Sequence, residues 1–591
     1  MTAIASHQSV RRQRAPTRDV PRRGVAEADT TRSVADHLVD LLRGLDIPVI
    51  FGVHGANIEH IYDAAVRAPG MAPVVAKHEF AAGAMADGTA RITGGYGAVI
   101  TTSGGGAMNV LPALAESYDS RVPVLALIGM PPCALTGAGA FQDMLTPPDT
   151  IDFLTTLSGV VGSCEIIRDA REVDAAMCRA AATLASGYPA ALAIPRDVQA
   201  SDAVIGAAAH EWMTTPEPFP DREIGALAAE LARLRGRGRT ICVWVGEEAS
   251  VGRLGNEIDL LAAQLGAQTV ASPGGRDAVG DVRSCAGVTG VMGHPSARRA
   301  IAEADVVLSI GCRMSVTDRF GLDDLLAERP VVHLGRAAPR PPEGTGGEGS
   351  SSIECPDLPA ALHRLSEALR DSGLEPGRRP AAVRTSLAVP SHDTGTRLSL
   401  RRAIEIVGAS MPPGCAVFAD AGNAGAAATH HLPFGPGRFT VALGMGGMGY
   451  AIAAGVGYAI SASVAHRRQP RRTVVIAGDG AFFMHGMEIH TAIEYSAPVT
   501  LVILNNDAHG MCITREKQFF PGTPSLNRFG HTDFAPGLAA MFPGLDVRTS
   551  HDPLLLRAAS ADLLTADGPN CLVIDVDPDE IPPFAPFLNE R

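Results

Sequence analysis

The sequence predicts an α/β protein of three domains, each a doubly wound parallel sheet. Two observations carry this. At 591 residues, 46% hydrophobic and 19% charged, the chain is too long for one core and has the composition of a folded enzyme. Short apolar, partly β-branched runs recur along it, many of them ending in glycine-bearing or polar turns and followed by helical patterns, the signature of βαβ units.

Residues 1–30 carry Arg11, Arg12, Arg14, Arg18, Arg22 and Arg23 without an apolar segment, which is no secretory signal and reads as a disordered tail. A first domain is expected over 31–200. It opens with an amphipathic helix over 31–45 and has strands at 49–51, 74–76, 97–102, 124–128 and 191–194. Residues 201–222, rich in proline and acid, read as a linker. A second domain over 223–373 has strands at 240–245, 268–271, 306–310 and 331–334, and a surface loop at 339–352. Residues 374–397 are a second linker. The third domain, 398–591, has a helix at 399–410, strands at 417–419, 474–477, 499–504 and 571–576, and a helix at 488–496.

Residues 445–465 lack charge and are long enough to span a bilayer. Glycine and alanine dominate them, so a buried helix is expected and no membrane partner. The net charge of −13, with no basic patch, argues against nucleic acid. Ten scattered cysteines form no CxxC pair. Cys133, Cys164, Cys178, Cys242 and Cys571 read as buried small hydrophobes, and a reducing cytoplasm is expected.

The chemistry concentrates in VVIAGDGAFF…VTLVILNNDAHGM, residues 474–511. A βαβ unit brings both strand ends to one sheet edge, where open α/β sheets bind ligands. Asp479 and Asn506 are therefore expected side by side. A carboxylate and an amide oxygen are a hard-oxygen pair suited to Mg²⁺, which completes its shell with phosphate oxygens and water. Gly478 and Gly480 let backbone N–H groups approach a phosphate.

Residues 481–504, a spacer of 24, separate GDG from NN, and this arrangement resembles the signature of thiamine-diphosphate enzymes. Further segments extend the resemblance to the acetolactate-synthase-like branch of that family: FGVHGANIEHIYD (51–63), KHEFAAGAMADGTAR (77–91), TTSGGGAMN (101–109), GAFQD (139–143), IPRDV (194–198), GMGGMGY (444–450) and NNDAHGM (505–511). The resemblance implies a pyrimidine-binding, a middle and a diphosphate-binding domain, and a homodimer or homotetramer with active sites between subunits. It implies that Glu79 bonds the aminopyrimidine ring, that Gln142 lines the donor side, and that Met448 props the cofactor into a bent shape. Glu79 read blandly is a helix cap, and Met448 core filler. Cofactor contacts are further implied for Gly55, Gly422, Asn423, Gly446, Gly478, Asp479, Gly480, Ala481, Asn506, His509, Gly510 and Met511. Asp479, Asn506 and the Ala508 carbonyl would hold Mg²⁺, and His54, Phe141 and Arg515 would face substrate.

Departures qualify the match. His54 and Gly105 stand where the family has proline. Arg515 stands where biosynthetic synthases carry a pocket-sizing Trp, although TREKQ (514–518) also reads as a solvated charge run. GCRMSVTDRFG (311–321) resembles an FAD-contacting segment, while HLGRA (333–337) departs from the acidic stretch that accompanies it, which leaves FAD open.

The function expected is a carboligase that decarboxylates a 2-oxo acid, with pyruvate the first candidate, and passes the acyl unit to a small-molecule acceptor. A plain decarboxylase is the alternative. The first domain lacks the adjacent histidines of pyruvate-decarboxylase-type relatives; His430-His431 lie in the third. A non-catalytic paralogue is disfavoured by the presence of Glu79, Asp479 and Asn506. A Rossmann dehydrogenase is disfavoured because no GxGxxG opens a helix after the first strand.

Overall fold

The computed structural model describes residues 32–145, 147, 149–205, 219–339, 347–389, 397–435, 437–465 and 472–588. The expected tail lies outside these residues, as do parts of both linkers and of the 339–352 loop.

Three six-stranded sheets, all parallel, follow one another along the chain. The first contains β1 Val49–Val53, β2 Ala72–Val75, β3 Gly97–Thr101, β4 Val124–Met130, β5 Ser163–Ile166 and β6 Ala190–Pro195, in the order β2-β1-β3-β4-β6-β5. The second contains β7 Ile241–Val245, β8 Gln268–Ala271, β9 Cys285–Val288, β10 Val306–Ile310, β11 Val331–Gly335 and β12 Ser351–Glu354, in the order β12-β11-β10-β7-β8-β9. The third contains β13 Ala416–Ala419, β14 Arg438–Val441, β15 Thr473–Gly478, β16 Val499–Asn505, β17 Asp546–Thr549 and β18 Asn570–Asp575, in the order β14-β13-β15-β16-β18-β17.

The α/β fold holds, and the sequence reading missed β5, β9, β12, β14 and β17. Each lies at the edge of its sheet. β5, β12 and β17 are covered incompletely and need no continuous apolar run, whereas β9 and β14 are largely buried but only four residues long. β12 is the extreme case: most of its residues are exposed, and its first two, Ser351 and Ser352, fall in the expected surface loop. Helix starts moved by a residue or more for a local reason. Ser33 and Ser399 cap the helices Val34–Gly44 and Leu400–Ala409 with their side chains instead of joining them.

Apolar clusters cover both faces of the sheets. One of them is continuous between the first and third sheets, running from Phe51 and Val99 through Met85 to Ile452, Phe418 and Val475. Its seam is the crossing of the helices Glu79–Thr93 and Tyr450–Val464. A Cβ on Gly88 would lie 2.7 Å from the Ala454 Cβ, and one on Gly457 would lie 2.4 Å from the Met85 Cβ. Small residues on both helices thus let the backbones approach and rigidly join the two domains. This explains the uncharged 445–465 stretch: its helix has 15 residues and is buried by protein. Among the described residues no helix is long and apolar enough to cross a membrane.

All ten cysteines are free; Cys242 and Cys571 are buried as expected, whereas Cys133, Cys164 and Cys178 are only half-buried.

Candidate active site

The third sheet places its chemistry at the carboxyl ends of β13, β15 and β16. β15 and β16 pair in register through Gly478 and Leu504, so the residues that follow them meet. Asp479 Oδ2 accepts a hydrogen bond from the Asn506 N–H at 3.3 Å, and Asp479 Oδ1 accepts from the Gly480 N–H at 2.9 Å. Asn506 Oδ1 accepts from the Ala508 N–H at 3.1 Å. No loop separates strand from helix here: β15 ends at Gly478 and a helix, Asp479–His485, begins at once. The sequence reading had a turn over 478–480 and missed this helix. Burial pushes the Asp479 carboxyl up to about 6, against several backbone N–H groups that favour its charged form.

A cavity of about 260 Å³ opens at this edge. Gly422, Asn423, Gly446, Met448, Gly478, Asp479, Gly480, Ala481, Asn506, Ala508, His509, Gly510, Met511 and Arg515 line it. Leu400, Cys512 and Val576, which the sequence reading did not single out, join them. The donor set suits a metal diphosphate on three grounds. Both polar atoms of the Asn423 side chain are buried without a hydrogen-bond partner, which is costly unless a ligand supplies one. A Cβ on Gly510 would sit 2.7 Å from Asn423 Nδ2 and 2.8 Å from Asn506 Nδ2, so only glycine leaves this cradle open. The helices Asn423–His431 and Gly510–Phe519 also start here, with N-terminal N–H groups that favour anions. Met448 reaches the same place: its Cε lies 3.3 Å from where a Cβ on Gly480 would be. Arg515 is exposed at the cavity wall, with its guanidinium 5.3 Å from the centre of the Phe519 ring.

A second group gathers on the first sheet. Glu79 opens the helix Glu79–Thr93, and its Oε2 accepts from Asn109 Nδ2 at 3.0 Å. Asn57 donates to Ser103 Oγ at 2.6 Å, and Ser103 Oγ donates to Gln142 Oε1 at 3.3 Å. Gln142 sits at φ 64°, a left-handed conformation that a non-glycine residue adopts at a cost of about 1–3 kcal/mol. Gly55 packs on Thr102 in the adjoining loop, and His54 lies against the Tyr62 ring at 4.8 Å. Phe141 is 87% exposed. Asn57, Ser103 and Asn109 all fall in segments quoted for the resemblance, but as single polar residues they carry no signal of their own.

Within one chain these groups stay apart. Glu79, Gly55, Gln142, His54 and Phe141 do not line the cavity of Asp479 and Asn506. The two halves are nonetheless fixed to each other. The Phe80 ring stacks on His485, the last residue of the Asp479 helix, at 4.5 Å, and the Lys77 N–H donates to Glu488 Oε1 at 2.8 Å.

A second cleft, also about 260 Å³, lies where the middle domain meets the other two and includes Arg121, Glu247, Glu248, Arg313, Asp318 and Arg336. Its donors are engaged internally. Glu248 accepts from Arg121 Nη1 at 3.2 Å and from the Arg336 N–H at 2.8 Å. Glu247 accepts from Ser272 Oγ at 3.3 Å and lies 3.8 Å from Arg313 Nε. Burial, reinforced by Asp318, pushes the Glu247 carboxyl up to about 8.

Comparison with known proteins agrees with this geometry. Models of the thiamine pyrophosphate enzymes match in three stretches: the N-terminal TPP binding domain at 32–153, the central domain at 229–339 and the C-terminal TPP binding domain at 420–576. The acetolactate synthase isozyme 2 large subunit of Escherichia coli is 26% identical over 554 residues, covering 92% of this chain and 95% of that one. A putative acetolactate synthase large subunit of Mycobacterium tuberculosis is 27% identical, covering 93% and 98%. The acetolactate synthase large subunit of Parasynechococcus marenigrum is 28% identical, covering 93% and 88%. The chain belongs to the thiamine-diphosphate enzymes, in their acetolactate-synthase-like branch.

Proposed function

We propose that this enzyme is a Mg²⁺-dependent carboligase: it decarboxylates a 2-oxo acid, with pyruvate the first candidate, and joins the remaining acyl unit to a second small molecule. The observation that carries the reading is the cavity in which Asp479, Asn506 and the unpartnered Asn423 amide converge. Asp479, Asn506 and the Ala508 carbonyl would hold Mg²⁺, and Asn423 with the neighbouring helix N-termini would hold the diphosphate oxygens. Thiamine diphosphate supplies, when bound, the nucleophilic carbon that makes loss of CO₂ from a 2-oxo acid feasible. Met448, beside Gly480 at the cavity wall, would prop the cofactor into a bent shape. Glu79, its carboxyl oriented by Asn109, would meet the aminopyrimidine ring nitrogen. Gln142, held by Ser103, orients the donor acid.

Because Glu79 stands outside the Asp479 cavity of its own chain, we read the working unit as a homodimer or homotetramer in which the first domain of one subunit closes the third-domain cavity of its partner. Ligation is favoured over plain decarboxylation by Gln142 in GAFQD, by the lack of adjacent histidines in the first domain, and by relatives named as acetolactate synthases. The enzyme proposed includes no flavin, because the polar groups of the middle-domain cleft are engaged within the chain. Two carboxylates, Glu247 and Glu248, open the helix that follows β7 and accept hydrogen bonds from Arg121, Ser272 and the Arg336 N–H. The reaction proposed has no redox step that would require a flavin.

The test is product analysis. Purified protein with thiamine diphosphate, Mg²⁺ and pyruvate should release CO₂ and give a coupled product by mass spectrometry, with dependence on both additions. Stoichiometric acetaldehyde would establish the decarboxylase instead, and no CO₂ from any 2-oxo acid would refute the proposal.

A further inference from the structure

The loop over residues 444–449, GMGGMG, carries Met448 and contains four glycines in six residues. It has almost no side chains with which to pack, and Met445 is 56% exposed. Its order comes from elsewhere: two buried carboxylates from different domains grip its backbone. On one side Asp420, at the end of β13 and 1% exposed, accepts from the N–H groups of Gly449 at 2.9 Å and Ala451 at 3.0 Å. On the other side Glu116, in the first domain and 2% exposed, accepts from Met445 at 2.6 Å, Gly446 at 3.3 Å and Gly444 at 3.4 Å. Only Gly447 and Met448 lie between the two grips.

The Glu116 grip is charged. Burial alone would raise its carboxyl, but Arg91 and the bonds from Ser120 and the Met445 N–H outweigh burial and hold it below the usual carboxylate range. Arg91 Nη2 donates to Glu116 at 2.9 Å and Arg91 Nε donates to Asp87 at 2.6 Å. Asp87 also accepts from the hydroxyl of Tyr450, the first residue of the helix that the loop leads into. The network therefore closes on itself around the loop. Hydrogen bonds from consecutive N–H groups to an ionised acceptor in a dry interior are among the strong ones, and they fix a backbone that glycine alone would leave free.

We propose that Glu116, supported by Arg91, is a positioning residue: it sets the backbone of 444–446 and thereby where the Met448 side chain stands against Gly480. The inference rests on the reading of Met448 as the residue that bends the cofactor. It differs from a simple interdomain ion pair in a measurable way. An ion pair that only joins the domains would affect stability, whereas a positioning residue changes what the bound cofactor does at unchanged affinity.

Two variants test it on the full-length protein. Glu116→Gln removes the charge, and Met445→Pro removes the best-placed donor while leaving the buried charges untouched. Two readouts apply to each: amide hydrogen exchange of the 442–449 segment by mass spectrometry, and exchange of the C2 proton of bound thiamine diphosphate for deuterium by quenched-flow NMR. The expected result is faster exchange of the 444–446 amides by about tenfold or more. C2 exchange should slow by about tenfold or more, with thiamine diphosphate affinity within about twofold of the parent. If Glu116→Gln does not fold, Met445→Pro carries the test. A parent that exchanges C2 and a variant that exchanges it equally fast would overturn the role of Glu116 alone. A parent that neither binds thiamine diphosphate nor exchanges its C2 proton would overturn the reading of the site, and the role of Glu116 with it.

Discussion

Asn109 Nδ2 lies 3.0 Å from Glu79 Oε2 and donates to it, so the Glu79 carboxyl is aimed by the short helix Gly105–Asn109 that follows β3. One oxygen is thereby committed and the other is left to work. Replacement of Glu79 by Gln keeps size and an oxygen that can accept from Asn109 but removes the acid–base group. Activity should fall by about 10²–10⁴-fold. Binding of thiamine diphosphate, measured by titration calorimetry, should persist because the diphosphate cavity does not include this residue. Near-parental turnover would remove Glu79 from its role.

Asp479 is buried and drawn on by several N–H groups, yet no cationic side chain accompanies it in the cavity lining except the exposed Arg515. Asp479→Ala should abolish the Mg²⁺-dependent part of thiamine diphosphate binding, since the diphosphate charge then lacks its bridging ion. Unchanged affinity with and without Mg²⁺ would contradict the assignment.

Arg515 is exposed yet lines the diphosphate cavity, so it reaches solvent and the site at once. A guanidinium offers two parallel donors to a carboxylate or phosphate. With a charge-assisted bond worth roughly 1.5–3 kcal/mol, Arg515→Trp should lower kcat/KM for an anionic acceptor by at least about tenfold. The same change should improve use of aliphatic 2-oxo acids. Unchanged acceptor kinetics in Arg515→Ala, with CO₂ release intact, would make Arg515 a surface residue.

Glu247 gives a pH-dependent prediction. Its folded pKa, about 8, is raised above the ordinary carboxyl value of 4.5, so its protonated form belongs to the folded state. Stability from this group is complete below the unfolded value and is lost as pH rises through the folded one. Glu247→Gln, a neutral isostere, should therefore match the parent near pH 4.5, exceed it in Tm increasingly up to about pH 8, and hold a constant advantage beyond. A gap that does not depend on pH would show that the carboxyl is not held protonated.

Legibility of the sequence divided along physical lines. Asp479 and Asn506 could be read because each follows a central strand whose apolar run is unmistakable, and because their spacing is set by two short helices and one strand. β5, β12 and β17 could not, because incompletely covered edge strands need no such run, and β9 and β14 could not, because four residues are too short a run to stand out. Asn109, Asp420 and Glu116 were invisible for another reason. A single polar residue has no periodicity, and what it grips depends on a partner 30 residues away for Asn109 and more than 300 away for Glu116. Gln142 was found through the GAFQD match, but nothing in that motif foretold its left-handed backbone. Arg515 reads from the sequence as either a solvated charge or a site residue, and it is exposed at the cavity wall.

The central claim is that one chain carries halves of two different sites: Glu79 for its partner's cofactor and Asp479 for its own. Subunit complementation tests this most directly. Glu79→Gln and Asp479→Ala, carrying different affinity tags, are co-expressed, and the mixed assembly is isolated by sequential capture. Each variant alone should be nearly inactive. A mixed dimer should regain about half the parental activity, because one of its two sites then draws both residues from intact domains. Activity no greater than that of the separate variants would place Glu79 and Asp479 in the same site of one chain and contradict the account.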